Sequence, residues 1–167
     1  SYPYIVITNE PYPRVFVTRQ IGRDGSQYFG PYTDVRNIRS ALKSIRDIFP
    51  IRSCNYFIND ESIKRRKVKV CLDYHIKKCE GPCEGLVSQD RYTMMIIQVA
   101  ELLHGKTGSL IKNMQTEMET LAASMRFEEA ATLRDRIKGL QAYSEKQKAV
   151  DLDPLDRDVV AFAAEGD

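Results

Sequence analysis

Four cysteines, Cys54, Cys71, Cys79 and Cys83, fall within thirty residues of a 167-residue chain that has no others. That clustering restricts what the chain can fold into more than any other feature. Between residues 51 and 85 the sequence loses the apolar periodicity that builds amphipathic helices and strands, so an ordinary core is not expected there. A lone thiol is easily buried as a small hydrophobe. Four thiols converging through Cys79-Glu80-Gly81-Pro82-Cys83 point instead to a metal centre, for which soft thiolates select zinc or an iron-sulfur cluster. The intervening lengths of 16, 7 and 3 residues differ from the paired knuckles of common zinc ribbons and leave the metal's identity open. His75 can replace one thiol in a zinc site, but with four cysteines present it reads as a neighbour. A structural metal would contribute on the order of 10 kcal/mol to folding a segment without its own core.

No apolar run approaches the roughly 18 residues that suggest a membrane span, and Ser1-Tyr2-Pro3-Tyr4 lacks the basic and apolar regions of a signal peptide. The expectation is a cytoplasmic protein with no membrane partner, whose reduced thiols are available as ligands. The net charge of +2 hides an asymmetry. Residues 1–83 hold 15 Lys and Arg against 8 Asp and Glu, and residues 84–167 hold 10 against 15. A basic half suits phosphate backbones, and an acidic helical half suits protein contacts or solubility.

Tyr4-Ile5-Val6-Ile7-Thr8 and Val15-Phe16-Val17-Thr18-Arg19 are β-branched and aromatic runs around a turn-rich stretch, and predict two paired strands. Gly22, Gly25, Gly30 and Pro31 mark loops. Thr33 or Asp34 can cap a helix whose apolar positions, Val35, Ile38, Leu42, Ile45 and Phe49, step 3, 4, 3, 4 before Pro50 stops it. A second helical pattern runs from Arg91 to His104, with Met94, Met95, Ile97, Val99, Leu102 and Leu103 apolar and Gly105 as its stop. Ile111, Met114, Met118, Leu121 and Met125 repeat the 3, 4 steps, and the pattern restarts after Arg126-Phe127 with Ala130, Leu133, Ile137 and Leu140. The spacing predicts two helices folded into an antiparallel hairpin. Its stripe is partly uncovered, and Ala122, Ala123, Ala130 and Ala131 would admit another helix, so the hairpin suits half of an intermolecular bundle. The tail reads as a linker followed by one apolar strand, Val159 to Ala164, without neighbours.

Lys64, Arg65, Arg66, Lys67 and Lys69, with Arg14, Arg19 and Arg39 upstream, can neutralise phosphates without reading sequence. Tyr12, Tyr28, Tyr32, Tyr56 and Tyr74 are candidates to stack on unpaired bases. An EF-hand register from Asp151 fails, because Asp156 takes the glycine position and Phe162 the bidentate glutamate position. The motifs of phosphate-binding loops, nucleophile elbows and zinc proteases do not occur. No catalytic residue is therefore assigned.

Tyr2-Pro3-Tyr4-Ile5, Pro13-Arg14, Tyr28-Phe29-Gly30-Pro31-Tyr32, Phe49-Pro50-Ile51-Arg52-Ser53-Cys54, Cys71-Leu72-Asp73-Tyr74-His75 and Cys79-Glu80-Gly81-Pro82-Cys83 follow one another as in the UvrC family, the incision subunit of bacterial nucleotide excision repair. Met125-Arg126-Phe127-Glu128-Glu129-Ala130-Ala131 followed by Leu133-Arg134-Asp135-Arg136-Ile137 resembles that family's UVR motif. The resemblance covers nearly the whole chain. It implies a central fragment of an α+β protein, divided as residues 1–50, the end of a GIY-YIG nuclease domain; 51–89, a metal-organised cysteine-rich segment; 90–106, a connecting helix; 107–148, the UVR hairpin; and 149–167, a linker and the first strand of an RNase H-like domain. It further implies a 4Fe-4S cluster on Cys54, Cys71, Cys79 and Cys83, with structural zinc as the alternative. UvrB would bind through its own C-terminal UVR hairpin, centred here on Phe127 with Glu128, Ala131, Arg134 and Asp135 around it. Damaged double-stranded DNA is the other expected partner, and both nuclease sites would lie outside the chain. The competing reading is a stand-alone four-cysteine adaptor that holds nucleic acid and self-associates through its hairpin.

Overall fold

The apolar helix stripe and the two β-branched runs meet in one core. The computed structural model describes residues 1–151 and the backbone of 161–163. Strands β1 (Tyr4–Ile7), β2 (Val15–Thr18), β3 (Gln27–Phe29) and β4 (Ala161–Ala163) form an antiparallel sheet in the order β2-β1-β3-β4. β1 pairs Ile5 with Val17 of β2 on one side and with Phe29 of β3 on the other. As an interior strand it is buried at Ile5, Val6 and Ile7. The sequence reading missed β3, whose three residues are too few to show an alternation. The strand expected without neighbours has one, because Ala161–Ala163 pairs with β3. The linker expected from residue 149 begins instead as helix through Asp151, and the rest of it ahead of β4 lies outside the described residues.

Helix α1 (Val35–Ile48) starts at Asp34, whose carboxylate accepts the Arg36 N–H. Its buried face is Ile38, Ala41, Ile45 and Ile48, slightly rotated from the expected stripe, and Val35 is exposed. The rotation follows from two packing partners, since α1 lies between the sheet and α6 (Phe127–Asp151). A Cβ at Gly139 of α6 would stand 2.8 Å from Ile48 Cγ1, so the two helices cross at a separation that leaves no room for a larger residue.

Two short helices follow, α2 (Asp60–Lys64) and α3 (Leu72–His75), and a 3-10 turn at Pro82–Glu84. The cysteine segment is not coreless, as the lost periodicity suggested. Ile51 and Ile58 are buried in the main core, with Ile63, Cys54 and Cys83 packed against it. Irregular backbone hung from a few apolar anchors carries no period for a sequence reading to find.

Helix α4 (Gln89–Leu103) is capped by Ser88, whose hydroxyl accepts the Arg91 N–H. It buries Tyr92, Met95, Ile96, Val99, Leu102 and Leu103, while Met94 and Ile97 face solvent. Helices α5 (Thr107–Ala123) and α6 form the expected antiparallel hairpin. Its root is covered within the chain, because α6 packs on α1 and α5 on α4. No helix among the described residues is long and apolar enough to cross a membrane.

Candidate functional site

All four cysteines line one small recess, with a cavity of about 40 Å³ that opens to solvent, together with Tyr56, Ile58, Val68, Lys69, Val70 and Tyr74. Each thiol comes from a differently shaped stretch. Cys54 follows the buried Ile51-Arg52 pair in irregular chain, Cys71 precedes α3, and Cys79 and Cys83 flank Gly81. Gly81 takes a left-handed conformation, φ 73°, where a Cβ would meet Leu86, Tyr74 and Val70 at 3.0–3.1 Å. Its carbonyl accepts the Glu84 and Leu86 N–H groups, closing the turn. Glu84 reaches across to accept the Val70 N–H at 2.8 Å, and the Ser53 hydroxyl donates to Asp73 at 2.7 Å. Burial pushes the Cys79 thiol up to about 11, and the neighbouring thiols of Cys54, Cys71 and Cys83 add to the rise. Burial and the nearby Cys54, Glu84 and Cys71 raise Cys83. The thiols are thus close enough to oppose one another's ionisation, an opposition that a bound cation reverses. Among the described residues no three His, Cys, Asp or Glu side chains draw together tightly enough to hold a single ion as placed.

Sequence reasoning missed the residue that anchors this recess. Arg52 is 1% exposed. Its Nη2 donates to Glu10 Oε1 at 2.8 Å and to the Tyr12 carbonyl at 2.9 Å, and its Nε donates to the same carbonyl at 3.0 Å. Its Nη1 donates to the Tyr56 carbonyl at 2.6 Å, the Cys54 carbonyl at 3.3 Å and Cys54 Sγ at 3.4 Å. The backbone N–H of Arg52 donates to the Tyr92 hydroxyl, which donates to the Pro13 carbonyl. One guanidinium therefore joins the β1–β2 loop to the first cysteine, and its backbone ties both to α4. Charge density in the sequence gave no sign of it, because Arg52 stands apart from the basic run.

The hairpin apex is built on a Schellman-type stop. Met125 N–H donates to the Ala122 carbonyl and Arg126 N–H to that of Leu121, with Met125 left-handed at φ 61°. Arg126 then grips Glu129 through two hydrogen bonds of 2.9 and 2.6 Å. Met125 is 76% and Phe127 61% exposed, so two large apolar side chains crown the hairpin. Along α6, Phe127, Ala131 and Arg134 are spaced 4 and 3, on one face away from buried Ala130, Leu133, Ile137 and Leu140. Glu128, Arg134 and Asp135 are exposed and Ala131 is half-buried. Deeper along the hairpin, Arg136 meets Glu80 of the cysteine loop at 3.5 Å.

The basic residues divide. Lys64, Arg65, Arg66, Lys67 and Lys69 are all exposed around the end of α2, where Arg65 also pairs with Glu61 at 2.7 Å, and Lys69 lines the thiol recess with Tyr56. Arg14 is engaged instead, paired with Glu10 at 3.1 Å and lying over the Phe16 ring. Arg19 donates to the Ser1 carbonyl at 2.5 Å. Arg39 is exposed on α1 and shares a recess with Lys43, Arg46 and Lys78. Arg39, Lys43 and Arg46 are spaced 4 and 3, so this second basic stripe was readable from α1's own period. Tyr12, Tyr28 and Tyr32 are buried core residues and leave the set of base-stacking candidates.

The family model for the UvrC/Cho excinuclease middle domain matches residues 2–102, and that for the UvrB/uvrC motif matches 108–143, the α5–α6 hairpin. The UvrABC system protein C of Chlorobium phaeobacteroides is 52% identical over 167 residues, covering 100% of this chain and 26% of that protein. Its counterpart in Chlorobaculum tepidum is 51% identical over 164 residues, 98% of this chain and 26% of the relative. That of Salinibacter ruber is 46% identical over 167 residues, with 100% and 26% covered. The chain belongs to the UvrC family and spans about a quarter of the length of these relatives. No solved structure matches it.

Proposed function

We propose that the chain is a middle portion of the incision subunit of bacterial nucleotide excision repair, holding UvrB through its helical hairpin and DNA through its basic surface. The observation that carries this is the exposed Phe127 at the apex of a hairpin that coincides with the UvrB/uvrC motif. The hairpin's root is packed inside the chain, and its apex offers Met125 and Phe127 with a charged surround, the apolar centre and polar rim of a docking patch. Titrating the chain with the C-terminal hairpin of UvrB is expected to give saturable binding with one partner per chain. Absence of binding would overturn the reading.

The four thiols suit a soft metal centre in number and chemistry. Their shared lining of one recess supports a single centre for all four, a 4Fe-4S cluster or a structural zinc, and either would need the sulfurs drawn closer together than they stand. Cys54, Cys71, Cys79 and Cys83 would be the ligands, and the group would cross-link the chain segments that carry them. Because burial holds the Cys79 thiol protonated, loading must release protons and tighten as pH rises. Anaerobic reconstitution is expected to leave about one cluster per chain, with zinc as the competing occupant, and Cys79→Ser is expected to lower that content. Metal analysis that finds neither iron nor zinc retained would remove the centre from the proposal.

A further inference from the structure

Tyr56 and Phe57 are 54% and 61% exposed, adjacent in irregular chain, on a segment whose remaining large apolar residues, Ile51 and Ile58, are buried. Exposure of this kind usually implies slack backbone, but the opposite holds here. The Tyr56 carbonyl accepts a 2.6 Å hydrogen bond from the wholly buried Arg52 guanidinium, and Ile58 is 1% exposed on the other side of the pair. The backbone beneath both rings is fixed while the rings stand in solvent. Tyr56 and Lys69 line the same recess, which brings the tyrosine of the pair to the end of the exposed basic run Lys64, Arg65, Arg66, Lys67 and Lys69.

We propose that Tyr56 and Phe57 form a stacking platform for unpaired bases of a DNA strand whose phosphates lie along the Lys64–Lys69 run. The inference rests on the DNA-binding reading of that basic surface. Charge complementarity selects the partner, since a surface with five cations over six positions is poorly suited to an apolar protein groove and well suited to a polyanion. Stacking selects unpaired bases, because base faces inside an intact duplex are already covered by their neighbours. A pre-fixed backbone lowers the entropy cost of immobilising the rings against bases.

The test compares, by fluorescence anisotropy with the 167-residue chain, a fully paired duplex and a duplex of equal length carrying a central run of unpaired thymines. Wild type is expected to prefer the looped duplex. The double variant Tyr56→Ala, Phe57→Ala is expected to bind the looped duplex roughly tenfold or more weakly, with paired-duplex affinity nearly unchanged. Tyr56→Phe with Phe57→Tyr is expected to restore the preference. Neutralising Lys64, Arg65, Arg66, Lys67 and Lys69 is expected to weaken both DNAs and to flatten the salt dependence by about 0.9 for each phosphate no longer neutralised. Circular dichroism should be unchanged throughout, since none of these side chains belongs to the core. Wild-type chain that binds neither DNA would overturn the DNA reading itself. Wild-type binding with no effect of the double variant on the preference would overturn the platform alone. Unchanged DNA binding with reduced capture of the UvrB hairpin would give the rings to a protein partner and overturn it too.

Discussion

Replacing Arg52 with methionine is expected to lower the stability of the chain by about 3–5 kcal/mol, the range found when one partner of a buried ion pair is removed. Methionine fills much of the volume, so the drop measures polar interactions more than packing. Glu10, whose side chain is 9% exposed, keeps Arg14 but gives up its 2.8 Å bond to Arg52. The carbonyls of Tyr12, Cys54 and Tyr56 lose their donor together, and each buried carbonyl left without a partner costs about 1–3 kcal/mol unless water reaches it. For a chain of this size that destabilisation corresponds to a fall in Tm of roughly 6–20 °C. Thermal and urea unfolding measure it directly. Adding Glu10→Gln should return part of the stability, because the carboxylate charge left behind by the single change is then gone. A fall below about 1 kcal/mol would show that Arg52 is a passenger and that the cysteine segment is anchored by Ile51 and Ile58 alone.

The reason Arg52 was invisible in the sequence is distance along the chain. Its carbonyl partner Tyr12 and the hydroxyl that holds its backbone, on Tyr92, are each 40 residues away, on opposite sides. Periodicity is local, so it delivered α1, α4 and the α5–α6 hairpin, including the apex at Phe127, with little correction. It misplaced individual faces where a helix serves two neighbours, as at Val35, or where one is lacking, as at Met94 and Ile97. Three of the five candidate tyrosines, Tyr12, Tyr28 and Tyr32, prove to be core residues for a related cause. A phenol is amphipathic, and a basic neighbourhood made each one look like a base-stacking group. Tyr12 and Tyr92 meet edge to face at 5.5 Å inside the core, with the Tyr92 hydroxyl bridging Arg52 and Pro13. Among the cysteines, spacing alone pointed to a shared location, and all four do line one recess. The tertiary hydrogen bonds that shape the recess, Ser53 with Asp73 and Val70 with Glu84, join residues too far apart for any local signal to pair them.

Phe127→Ala is expected to weaken binding of the UvrB C-terminal hairpin by about 2 kcal/mol or more, roughly a 30-fold rise in Kd, while leaving the fold untouched. The two halves of that expectation have separate grounds. Phe127 opens α6 but is 61% exposed, and the root of the hairpin is held by Leu110, Met114, Leu133, Ile137 and Leu140, so truncating the ring removes little from the core. Surface changes of this kind usually stay within about 0.5 kcal/mol of wild-type stability. Binding is different, because a large ring that is solvated in the free chain contributes its full apolar area only when a partner covers it. The charged surround should behave otherwise. Arg134 and Asp135 are exposed and already lie 3.4 Å from each other, so replacing either is expected to change affinity by less than about 1 kcal/mol, with an effect that fades as salt screens it. Isothermal titration of wild type, Phe127→Ala and Arg134→Ala at two salt concentrations separates the apolar anchor from the charged rim. Equal affinities for wild type and Phe127→Ala would move the docking surface away from the apex, whereas salt-insensitive weakening confined to Phe127→Ala would place the binding energy in the buried ring.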